Sequence, residues 1–468
     1  MDAATSSDLT SLSAQALSQQ ISARKLSPVD VVDAFLKRIA AKEPKLQAFV
    51  EVYGTDARLA AEAADKAIRS GHAVGPLHGV PIALKDLIDI EGKICTGGCG
   101  AWRNRVATQT ATLARHLVAQ GMIVLGKTHT VQFAMGGWGT NTQFGTPWNP
   151  WDPSRKRTPG GSSSGSGVAV AASLAPWAIG SDTGGSVRLP ASWCGLTGLK
   201  TTVGRISTFG VLPLSTTFDT LGPMCRSVED AALLYAAMPS ADPNDPRTLH
   251  APADDPFVQL KSGVRGLKFA ALPDRERQVA TAEVLAAYDT SLETLRGLGA
   301  EIVTIDLPFA FTDLTRAVGR IISPEAYAFL HDLVDNTSIP LDEDVRPRVT
   351  VGKKTTAHEY VEALQLREEL KRKFARAMTG IDALLTPTTT SVALPVEEVD
   401  QSGTPAHFTR FGNFLDLCAL ALPNGFAAAG LPTSLQIVCR GHDEAMALRI
   451  GWAYQDATDW HLRRPPEG

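Results

Sequence analysis

Residues 159–190 read PGGSSSGSGVAVAASLAPWAIGSDTGGSVRLP, two glycine-serine stretches separated by an apolar run. Glycine at this density weakens a helix or strand, because it loses more backbone freedom on folding than any other residue. A flexible linker would not be followed by Val168, Ala169, Val170, Ala171 and Ala172, which read as buried, nor by Trp177, Ala178 and Ile179, which read as a core strand. Both stretches, 160–167 and 182–186, are therefore expected as fixed loops beside core elements. In the second, Asp182, Thr183, Gly184, Gly185 and Ser186, glycine turns can aim successive backbone N–H groups at one point and form an anion nest. Ser186 closes that nest. A hydroxyl beside converging N–H donors suits acyl transfer, in which the attacking oxygen and the charged carbonyl oxygen lie about 3 Å from a common carbon. Serine is a weak nucleophile and needs a base.

The rest of the chain has an α/β rhythm. Ser27 and Pro28 cap and start a helix reaching about Ala41, a strand is expected within 46–52, and 55–69 reads as an alanine-rich surface helix. The run 79–86, GVPIALKD, is strand-like and ends on Lys85 and Asp86. Desolvation at Lys85 would favour the neutral amine and lower its pKa, and the same position also suits a lysine reaching to the surface. A helix at 108–120 precedes a strand at 122–126, and Ser227 caps a helix to about Met238. Residues 133–139 and 144–151, rich in glycine and aromatics, suit a pocket lining or packed turns. Beyond a Pro/Asp-rich loop at 241–256, a strand at 267–272, a helix at 279–298 and a strand at 301–305 continue the rhythm. Residues 309–376 are mostly helical by periodicity, their charged segment 367–373 reading as a solvated face. Strands return at 384–394, 419–426 and 432–439, and a helix closes at 444–455.

Composition bounds the function. With 44% hydrophobic and 20% charged residues, 468 residues can bury a large core, and the absence of a long linker favours one domain. Forty-five basic against 49 acidic residues give a net charge of −4 with no basic block, which offers no electrostatic case for nucleic acid or membrane binding. Six scattered cysteines fit a reducing compartment better than a disulfide framework, and Cys95-x-x-x-Cys99 is too wide for a redox pair. No metal-binding motif occurs, so neither metal nor cofactor is expected. Residues 1–20 are polar and lack the basic start and apolar core of a secretory signal, so a cytoplasmic location is expected.

Three known patterns fail at the glycine-rich centre. Gly165, Ser166 and Gly167 lack the third glycine of a dinucleotide fingerprint, and no GK[ST] follows a glycine loop. Residues 161–165 satisfy GxSxG, yet a nucleophile elbow needs a strand directly before it, and 154–159 is polar and broken by prolines. What the residues do resemble is the amidase signature family: GVPIALKD at 79–86, PGGSSSGSG at 159–167, GSDTGGSVRLPA at 180–191 and CGLTGLKTTVGR at 194–205, in that order. FDTLGPM at 218–224 and GLPTSLQ at 430–436 extend the resemblance over most of the chain.

The resemblance implies a large mixed, mostly parallel twisted sheet flanked by helices on both sides, with a helical cap. It implies one domain over 1–468, with its motif core at about 75–240 and 380–456 and the cap at about 310–380. It also implies a Ser-cisSer-Lys relay in which Ser186 is the nucleophile, Ser162 the bridging serine reached through a cis peptide from Gly161, and Lys85 the base. Backbone N–H groups of Thr183, Gly184, Gly185 and Ser186 would form the oxyanion hole, Ser163 would hydrogen-bond within the relay, and Asp182 and Arg188 would brace the loop as an ion pair. Met135, Gly136 and Gly137 are expected in the substrate pocket. One departure, Ser162-Ser163-Ser164-Gly165 where many relatives carry Ser-Ser-Gly-Gly, bears on loop geometry rather than chemistry. The activity implied is hydrolysis of small-molecule amides, extending to esters and carbamates, by a monomer or homodimer. An amidotransferase component supplying ammonia for misacylated tRNA, an allophanate hydrolase-like enzyme (suggested by 413–419, NFLDLCA) and a non-catalytic binding protein are the alternatives.

Overall fold

Uninterrupted apolar runs in a strand require cover on both faces, and the strands that carry the site have it. The computed structural model describes residues 8–467; the first seven residues of the stretch read for a targeting signal lie outside them. The strands are β1 (Phe49–Val52), β2 (Pro81–Lys85), β3 (Ile123–Thr128), β4 (Ala178–Asp182), β5 (Thr197–Lys200), β6 (Thr220–Cys225), β7 (Lys268–Ala271), β8 (Glu301–Thr304), β9 (Ala383–Pro387), β10 (Cys418–Phe426) and β11 (Pro432–Cys439). Every residue of β2, β4, β5, β6, β9 and β11 is buried. Together the strands form one 11-stranded sheet in the order β1-β3-β2-β4-β6-β5-β10-β11-β9-β7-β8.

The sheet is mixed, as expected, but it is not mostly parallel. Parallel pairing is confined to two wings, β3-β2-β4 and β9-β7-β8, where helices lie between the strands in sequence. The centre, from β4 through β6, β5, β10 and β11 to β9, is antiparallel throughout. The reason is local: β10 and β11 are separated only by residues 427–431, too short for the crossover that a parallel pair needs.

Alternation along the central strands assigns the two helical layers. Gly198 on β5 faces Ala191 and Val187 at the helix Arg188–Trp193, whereas Leu420 and Leu422 on β10 face Gly451 of the helix Glu444–Asp456. Gly198 pairs with Ala421 and Leu199 with Leu420, so the two helices lie on opposite faces. Residues 310–380 form the helices Phe311–Val334, Val345–Thr350 and Ala357–Ala377. Their aromatic seam holds them to the site: Phe311 stacks on Phe411 at 4.8 Å between ring centres, with Phe309 and Phe374 around it. The charged segment 367–373 is largely the expected solvated face, with Glu368, Glu369, Arg372 and Lys373 exposed and Arg367 the exception. Arg367 lies over the ring of Phe218 at 5.7 Å and pairs with Asp416, because its long stem covers apolar surface.

The first glycine-serine stretch also differs from the expected loop. A helix, Ser164–Ala171, begins inside it and is buried along its whole length. Its glycines allow backbone to approach backbone: a Cβ on Gly165 would lie 2.2 Å from both the Ala48 carbonyl oxygen and the His129 nitrogen. Ser166 ties the same turn to the sheet, its Oγ donating to the Ile179 carbonyl at 3.0 Å and lying 2.7 Å from Thr128 Oγ1. Close docking thus outweighs the helix penalty of glycine, about 0.5–1 kcal/mol each. All six cysteines are buried free thiols. Gly165→Ala should destabilise the protein by about 1–3 kcal/mol through overpacking, visible as a lower urea midpoint at unchanged slope.

Candidate active site

Parallel pairing brings the chemistry together. β2 and β4 lie side by side, Ala83 opposite Ala178 and Leu84 opposite Ile179, so their last residues, Lys85 and Asp182, reach the same edge of the sheet. Carboxyl ends of neighbouring parallel strands are where α/β sheets place ligands. Lys85 is fully buried, and its Nζ lies 2.7 Å from Ser162 Oγ and 2.8 Å from Ser181 Oγ. Burial drives the amine down from 10.5 to about 7, while Asp182 and Asp219 pull in the opposite direction. A substantial fraction is therefore a neutral amine near pH 7, able to accept a proton from a hydroxyl at hydrogen-bond distance.

Ser162 is fixed from its backbone. Its carbonyl accepts from the Val131 N–H and from Thr130 Oγ1, each at 3.1 Å, and the Gly161–Ser162 peptide is cis. Ser163 bridges the two serine loops: its N–H donates to the Ser186 carbonyl at 3.3 Å, its Oγ to the Ser181 carbonyl at 3.2 Å, and its Oγ accepts from the Ser181 N–H. Ser186 lines a cavity of about 330 Å³ that also touches Thr183, Gly184, Met135, Gly136 and Gly137. A larger cavity of about 450 Å³ between Arg38, Trp148 and Arg464 lies away from Lys85 and both serines.

The loop beneath Ser186 is held by one buried ion pair. Burial pushes the Asp182 carboxyl up, and Arg188 more than reverses this, holding it below the usual carboxylate range. Arg188 donates to both Asp182 oxygens at 2.9 and 3.0 Å, and onward to the Thr409 carbonyl, Gln436 Oε1 and Asn413 Oδ1. Asp182 Oδ1 also accepts the Gly185 N–H at 2.8 Å. That contact corrects the expected set of four oxyanion donors, because the carboxylate turns the Gly185 N–H into the loop. The N–H groups of Thr183, Gly184 and Ser186 have no partner among the described residues. Gly185 holds φ near +135°, where a Cβ would strike Thr409 Oγ1 at 2.3 Å, so the turn requires glycine.

Residue-level reading gives no role to Ser181, Thr409, Asn413, Gln436 or Asp219. Asp219 accepts from Thr183 Oγ1 at 2.5 Å and from the Leu214 and Ser215 N–H groups, and burial pushes its carboxyl up to about 6 against those bonds. Asn413, Gln436 and Asp219 stand in stretches that carry the family resemblance, a signal of importance without a role. Ser181 also stands in such a stretch, 180–191, which gives it no role. Among the described residues no helix is long and apolar enough to cross a membrane, and no group of three or more His, Cys, Asp or Glu side chains could hold a metal ion.

Comparison with known proteins is decisive at this point: the Amidase family model matches residues 30–448. The chain belongs to the amidase signature family. It is an amide-hydrolysing enzyme of that family, and its relatives span several uses of the fold. The A-subunit of the glutamyl-tRNA(Gln) amidotransferase of Roseiflexus castenholzii is 36% identical over 471 residues, covering 94% of each chain. The peptide amidase of Stenotrophomonas maltophilia superposes with a TM-score of 0.82 at 30% identity, covering 97% of this chain and 98% of its own. A protein of a vestigial complex that reveals the origins of an s-triazine catabolic enzyme superposes at 0.89 with 31% identity, covering 95% and 98%. Arg188→Met should cost about 3–5 kcal/mol by leaving Asp182 buried and unpaired, measured by urea denaturation at pH 7.

Proposed function

We propose that this enzyme hydrolyses small carboxylic amides through an acyl-enzyme on Ser186, with Ser162 and Lys85 as its proton relay. The observation that carries the reading is the 2.7 Å contact between a fully buried Lys85 and Ser162, beside a cavity lined by Ser186. Neutral Lys85 takes the proton of Ser162, which takes that of Ser186 as its oxygen bonds to the amide carbon. The N–H groups of Thr183, Gly184 and Ser186 receive the oxyanion, each worth about 3–4 kcal/mol of barrier by analogy with single-donor removals. As the C–N bond breaks, the relay returns the proton to the leaving nitrogen. Water then repeats the cycle on the ester, releasing the acid and restoring Ser186. Esters and carbamates pass through the same kind of tetrahedral intermediate and fall within this chemistry. We read the chain as one catalytic domain, with the helices of 310–380 forming the outer pocket wall.

A second reading is favoured by the 36% identity to the amidotransferase component: the same chemistry would release ammonia to a partner. A free hydrolase turns over model amides alone, whereas a component of a complex co-purifies with its partner and depends on it.

With purified chain and matched p-nitroanilide, p-nitrophenyl ester and carbamate substrates, Ser186→Ala should lower kcat by at least on the order of 10⁴-fold. Because the active form is the neutral amine, and burial has brought Lys85 to about 7, kcat/KM should rise as pH passes upward through about 7 and then level. Lys85→Ala should remove both the activity and this limb. A pH-independent rate, or a fully active Lys85→Ala, would contradict the relay.

A further inference from the structure

The cavity beside Ser186 is cationic on two walls. Among the described residues lining it are two arginines, Arg348 and Arg410, and no aspartate or glutamate. Arg348 rises beside the Met135–Gly137 loop, donating to the Met135 carbonyl at 3.1 Å and to Gln401. Arg410 stands against the nucleophile loop, its Cγ 3.6 Å from where a Cβ of Gly184 would lie. Its backbone position is fixed by its neighbours: Thr409 Oγ1 donates to the Gly184 carbonyl at 2.7 Å, and the Thr409 carbonyl accepts from Arg188.

Arg348 is therefore partly satisfied by the protein, but Arg410 is not. Its guanidinium makes no hydrogen bond or ion pair with any described residue. Burial pushes this arginine down to about 10, and the charge of Arg348 adds to the effect. A half-buried arginine in a cavity wall beside a second cation, with no carboxylate supplied by the chain, is stabilised when an anion arrives from outside. Lys85 does not alter the sign of the site, since it is either neutral or positive.

We infer that the substrate is a small amide carrying its own carboxylate and no ammonium group, with Arg410, assisted by Arg348, as the carboxylate anchor. This inference rests on the reading of Ser186 as the nucleophile of the same cavity. The planar fork of a guanidinium matches the two oxygens of a carboxylate, and the fit is lost on replacement by lysine. The missing acidic residue is equally informative. An α-amino acid amide such as glutamine would bring a second charge, an ammonium, to a wall that holds only cations.

Three substrates isolate these terms: pentanamide, glutaramate, which adds a terminal carboxylate, and glutamine, which adds an α-ammonium to glutaramate. For the wild-type enzyme, kcat/KM for glutaramate should exceed that for pentanamide and for glutamine by about 10- to 100-fold, the worth of a charge-assisted hydrogen-bonded pair. In Arg410→Gln the glutaramate-to-pentanamide ratio should fall to within about 3-fold of unity, mainly through KM, and Arg410→Lys should restore part of it. Pentanamide or glutamine turned over as well as glutaramate, or a ratio unmoved in Arg410→Gln, would overturn the inference. Titration calorimetry of glutaramate into the Ser186→Ala enzyme separates the two readings. Binding that Arg410→Gln abolishes would uphold the anchor even if no substrate were hydrolysed, a result that would defeat the amidase reading alone. Absence of glutaramate binding would overturn the anchor.

Discussion

The ion pair between Asp182 and Arg188 is the constraint on which the site depends. Both side chains are fully buried, and a buried charge is tolerable only when its partner and its remaining hydrogen bonds are in place. Here they are supplied from distant parts of the chain, by Thr409, Asn413 and Gln436. The loop presenting Ser186 is thereby bolted to β11 and to the short helix Arg410–Phe414. The same carboxylate draws the Gly185 N–H inward and leaves its neighbours facing the cavity. Which backbone N–H groups of this loop stay unpaired is thus a consequence of how one aspartate is satisfied.

Asp182 also acts on Lys85. Asp182 alone would hold Lys85 in its charged form, since an anion favours a nearby cation. Asp182 and Asp219 both pull Lys85 toward that form, and desolvation outweighs them. The ion pair and the lowered pKa of the lysine are two results of one burial pattern. The cap helices enter the same network through Phe411, which stacks on Phe311 one residue beyond Arg410. Pocket wall, Ser186 loop and central sheet consequently meet at one corner.

Much of this is legible in the chain. The apolar run of β2, the run 177–179 leading into β4, and the α/β rhythm around them point to a covered sheet. The ordered motifs mark Lys85, Ser162 and Ser186, and the structure places Lys85 and Ser162 in contact, with Ser186 one loop away. Reading fails where the determinant is a close approach rather than a residue type. Glycines 165 and 167 look like loop punctuation, yet Gly165 lets a helix dock on backbone and Gly167 lets it pack against the Pro190 and Cys194 side chains. Ser181 lies inside a motif that gives it no role, although it sits 2.8 Å from the lysine.

What the sequence by itself determined is the set of reactive groups, their order and the apolar runs that must be buried, because residue chemistry and hydrophobic periodicity are local properties. Tertiary structure alone decided the antiparallel centre of the sheet, the capture of the Gly185 N–H by Asp182, and the two arginines facing an acid-free cavity. Each of these depends on which distant groups meet across the fold. A hydrogen bond or an uncompensated charge is a property of neighbours, and residues 182, 348, 410 and 436 become neighbours only when the sheet has closed its order.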